Sequence, residues 1–232
     1  MPPIARPVPR FIADSPQEGG VYGRWEELLS AEFAKACEPL AEQAGAALDP
    51  ESTAWFPDRG WGGRTYVPVT GRGAGDQGEG IEYFGYVSLE RDEDGEPVEV
   101  SASAEYTDVL ADDNPDWKID INDEVIAPWH ADGGRGGDVT LVWGRPLVRG
   151  AVAATAELDG DPIDQAAVTK GRFTLVAVDA VKGFGDDLFL EVSLWDRNLR
   201  KLAGESLYDD PGGEDEPEDE PSESPGPDSS AG

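Results

Sequence analysis

His130 is the one histidine in the chain, so any imidazole-based acid–base scheme has a single centre. Histidine changes charge nearest neutrality, and Asp123, Glu124 and Asp132 are the neighbouring carboxylates that could orient it or share a metal with it. The local run Trp129-His130-Ala131-Asp132 matches no catalytic motif. Ser52, Ser88, Ser101, Ser103, Ser193 and Ser206 supply hydroxyls, but none lies in the Gly-x-Ser-x-Gly elbow that presents a nucleophile. His130 is accordingly the catalytic candidate of one reading, a metal-assisted hydrolase built on clustered carboxylates, and a loop histidine in every other.

Two stretches carry enough hard oxygen donors to suggest Ca2+. In the first, Asp112, Asn114, Asp116, Asp120 and Asp123 fall at loop positions 1, 3, 5, 9 and 12, the spacing of a calcium-binding helix–loop–helix. Trp117 stands where that loop needs glycine, and Asp123 where it needs a bidentate glutamate. In the second, Asp179, Asp186, Asp187 and Asp196 occupy turns that could converge at one end of a sheet. Ca2+ is the one ion these stretches would take, and no other cofactor is predicted. The sole cysteine, Cys37, excludes an internal disulfide and a thiolate metal cluster within one chain.

A third kind of chemistry is recognition. Trp55, Phe56 and Trp61 cluster in Trp55-Phe-Pro-Asp-Arg-Gly-Trp-Gly-Gly63, where aromatic anchors on a glycine-shaped loop would make a partner-binding surface or, equally, pin the loop to the body.

These residues must be held by elements legible in the pattern. From about Tyr22 to Ala47, Trp25, Leu28, Leu29, Phe33, Ala36, Cys37, Leu40, Ala41 and Ala44 recur at helical spacing. Pro39 predicts a kink and Gly45 a C-cap. Ile81–Leu89 and Val98–Val109 read as a hairpin around Arg91–Pro97. Further strands are expected at 64–70, 117–121, 139–143 and 147–158, with a short helical turn near Pro162. The strongest pattern is an organising hairpin. Arg172–Val181 is apolar on both parities, as in a central strand, and Leu188–Asp196 sets Leu188, Leu190, Val192 and Leu194 on one face. Lys201–Tyr208 would return as a third strand.

The predicted fold is therefore mainly β or α+β, an antiparallel sandwich or curled sheet covered by one N-terminal amphipathic helix. Residues 1–20, with prolines at 2, 3, 7, 9 and 17, read as an extended arm, 21–208 as a single β-rich domain, and 209–232 as a disordered acidic tail.

Charge bounds the function. The net formal charge is −31, and the tail holds only 10 of the 49 acids, so the body is also strongly negative. Such a surface repels nucleic-acid backbones and anionic membranes. No apolar run is long enough for a membrane helix and no signal-peptide core is present, making a cytoplasmic location the default expectation beside a surface or viral assembly role. The acidity fits adaptation to high salt, capture of a basic protein, or imitation of DNA as a decoy. The leading expectation is a non-enzymatic protein-interaction or assembly component that binds another protein or itself, with the hydrolase and the DNA-mimic decoy as alternatives.

Overall fold

The computed structural model describes Gly23 and residues 25–74, 80–130, 136–158, 160–178 and 190–207. Helix α1 spans Glu26–Cys37. A single 3-10 turn at Glu38–Leu40, with Pro39 inside it, leads to the short α2, Ala41–Ala44. Proline lacks the N–H that would continue the first helix, so the kink falls where the sequence puts it. Gly45 ends α2 at φ 70°, a left-handed conformation that favours glycine. The strands that follow are β1 (Ala47–Leu48), β2 (Ala54–Trp55), β3 (Arg59–Trp61), β4 (Arg64–Ala74), β5 (Glu82–Arg91), β6 (Pro97–Thr107), β7 (Ile119–His130), β8 (Gly136–Pro146), β9 (Ala153–Leu158), β10 (Asp161–Ala167), β11 (Phe173–Val178), β12 (Leu190–Trp195) and β13 (Lys201–Ser206).

Among the described residues these form three antiparallel sheets. The first runs β1-β4-β5-β6, with β2 and β3 also paired to β4; the second runs β11-β8-β7; the third runs β10-β9-β12-β13. The fold is thus mostly β, a set of curled antiparallel sheets with one N-terminal helical segment covering the first. Pro68 sits inside β4, where a missing N–H would normally break a ladder. It is accommodated because β2 pairs with 69–70 and β3 with 64–66, leaving a gap on that edge. There the Pro68 carbonyl accepts from Phe56 N at 2.9 Å.

Alternation along the strands sorts side chains into three cores. Leu29, Phe33 and Cys37 of α1 pack on Val67, Val69, Tyr83, Val87 and Leu89 of the first sheet. The opposite face of that sheet contributes Tyr66, Phe84 and Tyr86, which meet Leu141 and Trp143 of β8. Val142, on the other parity of β8, joins Phe173, Leu175, Ala154, Ala156, Leu190, Val192 and Leu194 in the core shared by the second and third sheets. Val139 through Trp143 are all fully buried, so β8 is a strand enclosed on both faces.

The expected organising hairpin is not formed. Residues 173–178 pair with β8 and residues 190–195 with β9 and β13, so the two segments lie in different sheets across one core. Both expose the apolar periodicity that the hairpin was inferred from, because period alone identifies a buried strand without identifying its neighbour. Leu190, Val192 and Leu194 do face one interior, and β13 does return against β12; Leu188 and the intervening turn lie outside the described residues. The helical turn expected near Pro162 is instead β10, with a register shift between Pro162 and Asp164. The arm at 1–20 and the tail at 209–232 also lie outside the described residues.

That irregularity in β10 has a structural use. No ladder joins β10 to β11 among the described residues, although they flank the same core. Asp164 Oδ2 accepts from Val176 N of β11 at 2.8 Å and pairs with Arg59 Nη2 at 2.5 Å. Arg59, reaching over from β3, also donates from Nε to Thr174 O at 3.0 Å and from Nη2 to Gln165 O at 2.9 Å. One guanidinium therefore ties all three sheets together. Asp164→Ala should lower stability by about 2–3 kcal/mol, since it strands both a charge and an amide in a partly buried site. Asp164→Asn keeps an acceptor for Val176 and should lose roughly half as much. Urea unfolding followed by tryptophan fluorescence measures both, and equal losses would show that the carboxylate charge, not the amide contact, holds the seam.

Candidate functional site

The facing sides of the first and second sheets carry two half-buried acidic positions, one on each sheet, whose pKa values burial raises. Glu124 lies on the β7 parity directed at the first sheet, opposite Leu141 of β8. Ser103 of β6 donates a hydrogen bond to Glu124 Oε1, while Glu124 Oε2 is buried without a hydrogen-bond partner. Burial, followed by the nearby charges of Glu105 and Asp123, raises the pKa of Glu124 against the opposing effect of the Ser103 hydroxyl. The adjacent Tyr86 phenol is pushed up to about 12, chiefly by burial and secondarily by Glu124. A phenol shifted in that direction is a poorer, not a better, source of phenolate.

The second position is Glu82 of β5. Burial and the neighbouring Asp120 raise its pKa, with Arg145 and Arg72 acting in the other direction. Both arginines are engaged: Arg145 Nε meets Asp120 Oδ2 and Arg72 Nη2 meets Asp112 Oδ2, each at 2.6 Å. Asp112 is held below the ordinary carboxylate range by its hydrogen bond to Arg72. The arrangement is an ion network that fastens β4, β5, β7, β8 and the turn at Ala111–Asp113 to one another.

Each residue singled out in the sequence has a definite place or lies beyond the described residues. His130 ends β7, its backbone in register with Gly136 of β8. Six residues of extended chain separate it from Glu124, about 20 Å at roughly 3.3 Å per residue, so the strand carries the expected acid–base neighbours away from each other. Asp132 lies outside the described residues.

Asp112 is occupied by Arg72. Asn114 uses its amide nitrogen to donate to Leu110 O at 2.7 Å, and Asp116 is exposed. Asp120 and Asp123 belong to β7 and, with opposite parity, point to opposite faces. The chain therefore extends where a calcium loop would have to wrap around its ion.

Asp179, Asp186 and Asp187 lie outside the described residues. Asp196 caps its turn, Oδ1 accepting from Asn198 N at 2.7 Å and Arg200 N at 2.9 Å; the Arg200 backbone bond is the main reason its pKa is lowered. Among the described residues, no group of three His, Cys, Asp or Glu side chains is placed to hold a metal ion.

The aromatic trio is divided between cores. Trp55 packs beside Phe33 with ring centroids 6.5 Å apart, on the helix-covered side. Phe56, 3% exposed, belongs to the core between the first and second sheets, with Trp61 half-buried against it. Arg172 lies over the Phe56 ring at 5.5 Å and donates to Trp55 O at 2.8 Å. Consecutive residues of a strand point to opposite faces, so Trp55 and Phe56 cannot form one patch. Cys37 is buried and its thiol is pushed up to about 12 by desolvation, which leaves it a packing residue.

The residues with structural leverage that the sequence did not single out are Arg59, Asp164, Glu82 and Ser103. One signal was available: basic residues are few beside the acids of this chain, and an arginine within a strand-rich stretch is suited to several acceptors at once. Comparison with protein-family models, curated proteins and solved structures finds no match to this chain.

The raised pKa values of Glu82 and Glu124 have a definite sign. In the folded state both carboxyls hold their protons to higher pH than in the unfolded chain, so the charged forms oppose folding near neutrality. Stability should rise as pH falls through the folded-state values toward the ordinary glutamate range, where the gain is complete. Thermal melts between pH 7 and 5 should show this rise, and Glu124→Gln should flatten it while raising the melting temperature at pH 7. An unchanged slope in both Glu124→Gln and Glu82→Gln would refute the assignment.

Proposed function

We propose that the protein is a non-enzymatic protein-interaction or assembly component that meets a basic partner through its acidic surface. The observation that carries this reading is the way the scarce cations are used. Arg59, Arg64, Arg72, Arg145, Lys35 and Lys201 are paired with acids of the same chain, Arg91 lies over Trp25, and Arg172 is committed to Trp55 and Phe56. Each such pair neutralises one acid, and the chain as a whole still carries 49 acids against 18 basic residues.

A field of that sign attracts basic proteins and repels phosphate backbones, and it accelerates encounter with the former. The absence of a long apolar helix among the described residues adds nothing to the choice of partner. The fold also turns Leu29, Phe33 and Cys37 of α1 into one core, with Trp55 packed against it, and Phe56 into another, so charge is the feature we take to do the recruiting.

The test is capture on immobilised full-length protein from a native extract at about 50 mM and about 500 mM salt. Partners are identified by mass spectrometry, then purified and titrated individually. A basic partner should bind saturably at low salt, with affinity falling by roughly tenfold or more across that range as screening shortens from about 14 Å to about 4 Å. Saturable capture that is indifferent to salt, or capture only of neutral or acidic proteins, would overturn the reading.

A further inference from the structure

The sheet edges of this fold are not equivalent. The outer edge of β4 is occupied in turn by β1, β2 and β3. β10 and β11 face one another across the Arg59–Asp164 seam. β13 ends the third sheet but carries an irregular register beside Lys201, and Lys201 with Glu191 lies over Gly204, both of which disfavour pairing with another chain.

β7 ends the second sheet, but it carries a register shift between Val125 and Ala127 and then Pro128, which also disfavour pairing with another chain; β6 differs from all of these. It has β5 on one side and α1 above its apolar face, and among the described residues no strand pairs with its other edge. From Val98 to Thr107 it contains no proline and no lysine, the two residues that most often protect an edge. Its register shift, at Glu99 and Val100 with Glu99 at φ 49°, lies near the start and leaves Ser101–Thr107 regular.

The two faces of this edge are chemically distinct. Val100, Ala102, Ala104 and Tyr106 form a half-buried apolar row beside α1. Ser101, Ser103 and Glu105 occupy the other parity, and Ser103 contacts Glu124 behind it. A Cβ placed on Gly85 would strike Ser103 O, so that carbonyl is directed at β5. Neighbouring residues of a strand direct their peptide groups alternately, and Ala102, Ala104 and Tyr106 consequently turn theirs to the open side.

We infer that the free edge of β6 is where the partner binds, taking from it an extended segment that alternates basic and apolar residues as an added antiparallel or parallel strand. This deepens the acidic-surface reading and rests on it. Main-chain bonds to Ala102, Ala104 and Tyr106 would supply the affinity. Charge complementarity selects the occupant: side chains on one parity of the incoming strand meet the exposed Glu105, within the strongly negative field of the chain, and those on the other extend the apolar row beside α1. A second copy of this chain would bring its own acids to the same edge, so a self-paired edge is disfavoured by charge.

The probe is a short synthetic peptide alternating lysine and valine, titrated into the full-length protein and read by amide hydrogen exchange and by affinity. Two comparison peptides carry N-methyl groups on alternate residues, one set on each edge of the strand. A third has the same composition with lysines and valines in separate blocks. The alternating peptide should slow exchange in β6 by about tenfold or more. One N-methyl set should abolish binding while the other retains it, and the blocked peptide should bind at least about tenfold more weakly. Glu105→Lys should weaken the alternating peptide several-fold while the protein still unfolds cooperatively at a melting temperature no lower than that of the parent chain.

Salt-sensitive capture of a basic partner with β6 exchange unchanged would overturn the edge site and leave the acidic-surface reading standing. Loss of the salt-sensitive capture itself would remove both. Protection of β6 that appears only as the protein dimerises, without peptide, would assign the edge to a second copy and overturn the proposal.

Discussion

Arg59 is the residue on which the assembly of the three sheets depends. Backbone ladders hold each sheet together, but among the described residues no ladder crosses from β10 to β11, and hydrophobic packing between sheets is weakly directional. The guanidinium supplies the missing direction. Its donors lie in a plane and engage a carboxylate and two carbonyls from different strands, which only one relative placement of the sheets satisfies. Asp164 completes the seam by accepting an amide of β11 that would otherwise lack a ladder partner. Both side chains remain about a quarter exposed, so the desolvation cost is smaller than for a fully buried pair.

The placement so defined permits β8 to be buried on both faces. Leu141 and Trp143 point into the core shared with the first sheet, and Val142 into the core shared with the third. A strand in that position cannot shift register by one residue without exchanging the contents of two cores, so its pairing with β7 and β11 is strongly specified. The same constraint explains why polar groups next to β8 are scarce and consequential. Thr140, Trp143 and Thr174 carry buried polar atoms without hydrogen-bond partners, each a cost that the surrounding apolar packing has to offset.

Local features were far more legible than neighbours. The helix, its break at Pro39 and its cap at Gly45 follow from residues that act within one turn, and the 82–107 hairpin follows from two periodic segments separated by a short turn. The pairing of 173–178 with β8 was not legible, because a segment apolar on both parities is compatible with any partner strand in the interior. β10 was misread for a related reason. Pro162, Asp164 and the small residues after them look like a turn until Arg59, more than a hundred positions away in the chain, gives the irregularity its purpose. The candidate sites divided in the same manner. Acidic spacing at 112–123 resembled a loop for calcium, yet the continuous alternation from Ile119 onward was the better guide, since an extended strand sends Asp120 and Asp123 to opposite faces.

The acidity also acquires a structural meaning from where the cations go. A chain with so few basic residues could spread them over its surface to reduce self-repulsion; here Arg59, Arg64, Arg72 and Arg145 are spent on contacts between strands and sheets. Local order is thereby gained at the expense of a surface whose repulsion is left uncompensated, a force that opposes compaction and also opposes self-association. Such a surface is tolerable where three cores provide ample apolar burial, and it becomes an asset where the opposing charge arrives on another molecule. β6, whose outer side has no strand partner among the described residues, lies on the same sheet as Arg64 and Arg72; Arg64 bonds Glu99 O at the start of that strand and Arg72 reaches Asp112, so neither engages the peptide groups of Ala102, Ala104 and Tyr106.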